Sequence, residues 1–542
     1  MISLLALPHK RQPGGGTPDR RGVTRRHVLV PTSAAAALLL VVALVGRAPV
    51  SSWAHTGVSL SAYNAVDAAG SNTSVPIRAA AVKTTVSQIK VVNYYPRTHG
   101  WTSMWTDWQP GQMNADFAQI HSLGANAVRI STFPSVMGFP TVSAVMAQRL
   151  RQMLSLASAN HLSVQLTLFD WFGNWDQITR SQQWVESLLG SYSKDPRITM
   201  IELANEVDPS NTTFMAWAKA LLPTVRRVAP LPLTTLSVTG TLATGPARLA
   251  ALVKGLRGSP LEAADIHFYA LVRDAYQFLS AAKKAAGGLP LFVGEAGLPV
   301  PFPGGRESSM GDWTQAQYLD SVFHAARTLG LSYPAPWTLH DFSATVMPGG
   351  TMIPDEYHFG LFRSDNTIRP AGNVVTTWFT TGKSSLDVPN GSFTSETPDG
   401  VPTWWMSYYA QYGSVVVDKA TGHDAVGSVR FSRTGTPAGG VPSIMIEPTL
   451  PIVAGQTWSV SGWARGTSAT GYSRIGITWF DRKGTYMFNS ESVGVPQGTS
   501  AWQQLRVSVR VPVGAASMLV GLRSAGNSGT VWFDDIAVSV SG

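Results

Sequence analysis

The 542-residue chain contains no cysteine. Disulfide staples, thiolate metal sites and a cysteine nucleophile are excluded together. Export is not, because a large domain can be stable on burial alone. Charge is also sparse, with 13% Asp, Glu, Lys and Arg against 44% hydrophobic residues, a globular composition. The excess of positive charge is local. Lys10, Arg11, Arg20, Arg21, Arg25, Arg26 and Arg47 precede residue 48, and Asp19 is the one acid among them. Beyond them stand 34 basic and 31 acidic residues, so the formal +9 falls to +3 and no nucleic-acid partner is implied. There is no phosphate loop and no metal-ligand spacing, so neither a metal nor a cofactor is expected.

What is present at the start reads as an address. Residues 28–46 form an apolar run with four arginines just before it. A charged region followed by an apolar one resembles a secretory signal. Thr24-Arg25-Arg26-His27-Val28-Leu29-Val30 resembles a twin-arginine export signal. At about 19 residues the run is also near the ~20 that cross a bilayer. Residues 1–46 are therefore expected to be a basic cytoplasmic segment plus a cleaved signal or a membrane anchor through 28–46. The protein is expected to work outside the cytoplasm or at the cell surface. Residues 47–87, rich in Ala, Ser, Thr and Val and without a sustained period, read as a spacer.

From residue 88 to 382, apolar strand-like runs alternate with helical patterns, which argues for βαβ units around a parallel sheet. The spacing predicts strands at 89–95, 125–131, 163–169, 198–204, 233–238, 264–268, 290–294 and 333–339. Helices are predicted at 113–123, 143–160, 181–192, 213–228, 247–254, 274–286, 314–329 and 371–379. Eight strands in just under 300 residues match a (β/α)8 TIM barrel of ~250 residues plus insertions.

Such a barrel presents its chemistry at the C-terminal ends of its strands. The fourth run ends in Asn205-Glu206 and the seventh in Gly294-Glu295. The glutamates are 89 positions apart, three units of about 30 residues, which sets them across the top of one barrel. Retaining glycoside hydrolysis needs two carboxyl groups about 5–5.5 Å apart, one as acid/base and one as nucleophile. Asn205 can donate to a sugar 2-hydroxyl, Arg129 can bring positive charge beside Glu295, and Tyr269 can orient the nucleophile. Glu202, four residues before Glu206, has the same inward parity but lies deeper. Glu202 and Glu186 are poor acid candidates.

Leu203-Ala204-Asn205-Glu206 with Gly294-Glu295-Ala296-Gly297 resembles glycoside hydrolase clan A, nearest to family 5, the cellulase and mannanase group. Residues 124–130, His267-Phe268-Tyr269, Trp337, Gly360-Leu361-Phe362 and Arg369-Pro370 carry the same resemblance over roughly 88–382. Val207 stands where many members have proline, and Phe169-Asp170 where many have histidine. The resemblance implies a retaining mechanism with Glu206 as acid/base and Glu295 as nucleophile. It places Arg129, Asn205, His267, Tyr269 and Trp337 against the sugar.

Each candidate has a plainer reading. Arg129 can tie carbonyls at the barrel rim, His267 can be a satisfied core residue, and Asp170 can cap the next segment. Seven tryptophans, Trp101, Trp105, Trp108, Trp171, Trp175, Trp313 and Trp337, fall on predicted top-face loops or strand ends. Indole faces stack on sugar rings, but large loops also need large side chains for their own packing. Two or three are expected to touch substrate, Trp337 first, with Trp171 beside Asp170 in the candidate binding set.

Residues 383–542 change character: strand-like, rich in Gly and Ser, without helical period. They read as an all-β jelly-roll sandwich. Asn390-Gly391-Ser392-Phe393 and residues 531–536 resemble a carbohydrate-binding module. Trp404, Trp405, Tyr472, Trp479 and Trp502 are candidate sugar platforms. A sandwich that only packs on the barrel is the alternative. The expected activity is hydrolysis of a β-linked polysaccharide by an endo-glucanase- or mannanase-type enzyme. A non-catalytic carbohydrate-binding or adhesion protein and an exo-acting β-glycosidase or transglycosylase remain open.

Overall fold

The computed structural model describes residues 86–541, except 301–304, 351, 385–387, 389, 399, 409–412, 435–441, 447–449 and 453. The expected signal or anchor and most of the spacer lie outside the described residues. No helix among the described residues is long and apolar enough to cross a membrane.

The first region is an α/β ring of parallel strands. These are β1 (Val91–Asn93), β2 (Ala127–Ser131), β3 (Ser163–Thr167), β4 (Ile198–Glu202), β5 (Leu233–Thr235), β6 (Ser237–Val238), β7 (Ala264–Phe268) and β8 (Leu291–Ala296). β1 to β5 form one parallel sheet in chain order, and β6, β7 and β8 another. Every residue of β2, β7 and β8 is buried, as strands covered on both faces require.

The expected fifth strand, 233–238, is split at Leu236. Thr234 O accepts from the 262 and 263 amides, while Ser237 O turns to accept from Val207 N. The expected eighth strand, 333–339, is an extended segment with one isolated bridge, Ala296 to Pro336. Pro334 and Pro336 remove two ladder donors. The remaining donors still close the ring. Ala335 N bonds Val293 O at 2.9 Å and Trp337 N bonds Ala296 O at 2.9 Å. On the other side Asn93 N bonds Pro336 O at 3.1 Å and Leu339 N bonds Asn93 O at 3.2 Å.

Helices cover the outside and begin where the sequence offers caps. Ser143 accepts from Met146 N before the helix Ala144–Ala159, and Asn211 from Phe214 N before Thr212–Val228. Pro110 and Pro370 open the helices Pro110–Ser122 and Pro370–Thr381 at the first position, where their missing N–H costs nothing. The helix after β8, Gly305–Thr328, starts nine residues before the expected 314.

The second region is antiparallel. Its strands are β9 (Trp405–Tyr408), β10 (Ser414–Asp418), β11 (Ser428–Thr434), β12 (Ser443–Ile446), β13 (Leu450–Pro451), β14 (Thr457–Ala469), β15 (Tyr472–Asp481), β16 (Tyr486–Glu491), β17 (Gly498–Arg510), β18 (Ala515–Ala525) and β19 (Asn527–Ser541). They make two sheets, β10-β11-β19-β14-β17 and β16-β15-β18-β12-β9, with β13 on β18. Val460, Ile475, Ile477, Trp479, Met518, Val520, Val531 and Phe533 are fully buried core residues of this region. Arg430 pairs with Trp532, and Trp532 with Arg465, across neighbouring strands. The Arg465 guanidinium lies 5.1 Å from the Trp532 ring and 6.0 Å from the Trp502 ring.

Barrel and sandwich touch through side chains. Trp313 and Trp404 meet edge to face at 6.0 Å, Gln456 contacts His324, and Ser384 donates to Asp320 at 2.7 Å.

Candidate active site

Strand ends bring the candidate residues together around one guanidinium. Arg129 on β2 is 4% exposed. Its Nε donates to Glu202 Oε2 at 2.7 Å and to Thr167 Oγ1 at 3.1 Å. Its Nη1 donates to Asn93 Oδ1 at 2.9 Å and also to Glu295 Oε1. Its Nη2 donates to Asn205 Oδ1 at 2.6 Å, which leaves the Asn205 amide N–H groups for another partner. The expected positive charge beside Glu295 is therefore in place. Glu202, fully buried, is the floor under that guanidinium.

Glu206 sits in the turn after β4 at φ +45°, a left-handed conformation uncommon for a residue with a side chain. Ser237 holds it there: its Oγ accepts from Glu206 N at 2.8 Å. Strain of this kind persists only where neighbours over-determine it, and it clusters at functional sites. The Glu206 side chain keeps 35% of its exposure, whereas Glu295 at the end of β8 is buried.

His267 links the two. Its Nδ1 is 2.9 Å from Glu206 Oε1 and 3.3 Å from Glu295 Oε2. One ligand atom from each of Glu206, His267 and Glu295 lies within 4.8 Å of the others. Tyr269 donates its hydroxyl to Glu295 Oε2 at 2.6 Å. With Arg129 and Tyr269 donating to Glu295, the cluster is built of proton donors and acceptors rather than around an open cation position.

Charge follows from these contacts. Burial opposes a charge on His267, but the Glu295 charge and the hydrogen bond and charge of Glu206 outweigh it, lifting its pKa to about 9. Burial pushes Glu206 upward, yet the hydrogen bond and charge of His267 hold it below the usual carboxylate range. An acid/base is ordinarily expected to sit above that range.

The other candidates are distributed. Asp170 is buried beside the cluster, where its Oδ2 accepts from Tyr95 at 3.1 Å and its Oδ1 from Trp171 N at 3.0 Å. Burial raises its pKa, against the pull of Arg129. Trp171 is 52% exposed and forms the end of a stack, 6.3 Å from Trp101, which lies 4.8 Å from Tyr95. Trp337 meets Tyr95 edge-on at 5.9 Å. Trp105 is buried in the fold, and Trp175 packs on Trp217 and Phe214. Trp313 packs on the sandwich.

Two residues escaped the sequence reading. Glu356, on the short 3₁₀ turn Pro354–His358, accepts from Trp337 Nε1 at 2.9 Å. Asp265, two residues before His267 on β7, accepts from Gly294 N at 2.9 Å. No motif marks either, since both depend on a neighbouring strand or loop.

Two of the five sandwich platforms require correction. Trp405 and Trp479 are 1% and 0% exposed, so their faces are spent on the core. Trp404 is half-buried, with one edge contact to Trp313. Tyr472 and Trp502 reach the surface, each with an arginine over its ring, Arg474 at 5.4 Å and Arg465 at 6.0 Å. Asp534 and Asp535 are engaged by His423: Asp534 Oδ2 accepts from its N at 2.7 Å, and Asp535 Oδ2 stands 3.0 Å from its Nδ1.

The fold has solved neighbours. An exo-beta-1,4-mannosidase from Opitutaceae bacterium strain TAV5 is 18% identical over 54% of this chain, with a TM-score of 0.43. The chain spans 60% of that neighbour's length. A GH5_18 protein from Streptomyces cattleya, in complex with Manb1-4GlcNAc, is 18% identical over 55% of this chain and 82% of its own, with a TM-score of 0.46. A beta-glucosidase, 1317, is 13% identical over 51% of this chain and 89% of its own, with a TM-score of 0.41. No family model and no curated protein matches the sequence.

Proposed function

We propose that the chain is a retaining β-glycoside hydrolase acting on a β-linked saccharide, with Glu295 as nucleophile and Glu206 as acid/base. One observation carries the reading. Two carboxylates on opposite sides of one strand ring approach to within 4.8 Å, one buried and oriented by Arg129 and Tyr269, the other partly open. Nearest oxygens this close belong with the about 5–5.5 Å spacing of a retaining pair, whereas an inverting pair stands about 6.5–9.5 Å apart to admit water.

Asn205, with its carbonyl taken by Arg129, offers an N–H to the sugar. The exposed Trp171, backed by the buried Trp101 and Tyr95, and the half-buried Trp337 supply aromatic faces for sugar rings. Within this reading the protein is exported, in line with its first 46 residues, and acts on a β-linked polysaccharide.

The test is a panel of aryl β-glycosides and β-linked polysaccharides, with a 2-deoxy-2-fluoro glycoside as trap. Glu295→Gln loses turnover by at least about 10³-fold while retaining substrate binding. The trap adds a sugar to Glu295, located by mass spectrometry of the peptide. Inverted products, or a label elsewhere, overturn the mechanism. Binding without release of any sugar leaves the non-catalytic alternative.

A further inference from the structure

The double-displacement reading leaves open where the catalytic proton waits. We propose that in the resting site it sits on His267, that Glu206 relays it to the departing oxygen, and that Asp265 is the positioning residue that keeps it on the imidazole.

The geometry carries this. His267 is fully buried and its Nδ1 faces both carboxylates, 2.9 Å from Glu206 and 3.3 Å from Glu295. A second acidic pair, Glu202 and Asp265, lies close to it. One ligand atom each from Glu202, Asp265 and His267 lies within 4.8 Å of the others, and all three residues are buried. His267 Nε2 has no hydrogen-bond partner among the described residues, so this pair acts on it through charge. The charged and titratable neighbours are therefore Glu206 beyond β4, Glu202 on β4, Asp265 on β7 and Glu295 on β8. Arg129 on β2 is bonded to Glu202 and Glu295, and Tyr269 to Glu295. Burial pushes Asp265 up to about 7 against the charge of His267, so above neutral pH it is an anion supporting the imidazolium. Gly294 makes room for it: a Cβ there would stand 2.4 Å from Asp265 Oδ1.

The cycle balances. As C1 bonds a Glu295 oxygen, the Glu295 charge is neutralised and His267 loses its strongest anionic support. The Nδ1 proton passes to Glu206 and on to the glycosidic oxygen, and the C1–O bond breaks. Neutral His267 then leaves Glu206 free as base. Water attacks C1, its proton passes through Glu206 back to Nδ1, and Glu295 departs as carboxylate.

The experiment is nitrogen NMR of the full chain with ¹⁵N-labelled histidine, the His267 signals assigned by their loss in His267→Asn. The expected result is an imidazole protonated on both nitrogens at pH 7.5 that loses its proton near 9, together with an alkaline limb of kcat/KM at the same pH. Asp265→Asn, which retains an acceptor for Gly294 N, moves both down by roughly one unit. Glu202→Gln is the second variant and moves them in the same direction. A His267 that titrates near 6.5, or a titration unmoved in both folded variants, overturns the proposal. A chain that cleaves no β-glycoside while His267 titrates near 9 fails the proposed activity alone. A working hydrolase with an ordinary His267 fails this inference alone.

Discussion

Glu356 holds three opposed influences in one side chain. Burial pushes its carboxyl up to about 7, the Trp337 Nε1–H pulls it down, and the charges of Glu295 and Glu206 push it up again. Below about 7 it is neutral; above, it becomes a further negative charge facing the pair. Glu356→Gln keeps an acceptor for Trp337 and removes only the ionisation. Its kcat/KM should therefore track the wild type at pH 6 and diverge from it at pH 8. Equal ratios at both pH values would show that the charge does not reach the reaction. This residue was illegible in the sequence, because an acid in a loop means nothing until the loop is placed. Glu206 and Glu295 were legible because each ends an apolar run, and that pattern survives without coordinates. Asp265 lay in plain view within a buried strand, but its meaning depends on Gly294 of the next strand.

Elements were readable in proportion to how local their causes are. Helices announced by a cap or a leading proline fall within three residues of expectation, as at Ser143, Asn211, Pro110 and Pro370. The strand at 264–268 was read to the residue, since Ala264, Ile266 and Phe268 alternate with Asp265 and His267 at the period of a strand. The split between β5 and β6 was not readable, because it is imposed from outside: Ser237 turns its carbonyl to Val207 N and its hydroxyl to Glu206 N while β6 pairs with β7. The hydroxyl bond to Glu206 N gives a test at the scale of the element. Ser237→Ala removes the acceptor for Glu206 N and should cost about 1 kcal/mol, measured by denaturant unfolding. Because the same bond fixes the +45° residue, kcat should fall at least tenfold with KM little changed. An unchanged kcat would mean that the turn holds its shape without Ser237.

At the scale of the molecule, an α/β ring followed by an antiparallel sandwich was visible as a change of period near residue 383. Which aromatics the sandwich shows to solvent was not, since alternation gives two faces without saying which is inward. Trp405 and Trp479 went in, while Trp502 stayed out in a row with Arg465 and Trp532. The barrel's closing segment has a consequence of its own. With Pro334 and Pro336 lacking amides, three N–H groups, those of Ala335, Trp337 and Leu339, report on that side of the seam. Their partners lie on both neighbouring strands, so hydrogen–deuterium exchange at these amides times the opening of the whole ring. Saccharide bound over Trp337 should slow all three together, while amides of the outer helices keep their rates. Slowing at Trp337 alone would mark a local contact. A molecule that must part its strands to open would thus carry its own clock in the one segment that least resembles a strand.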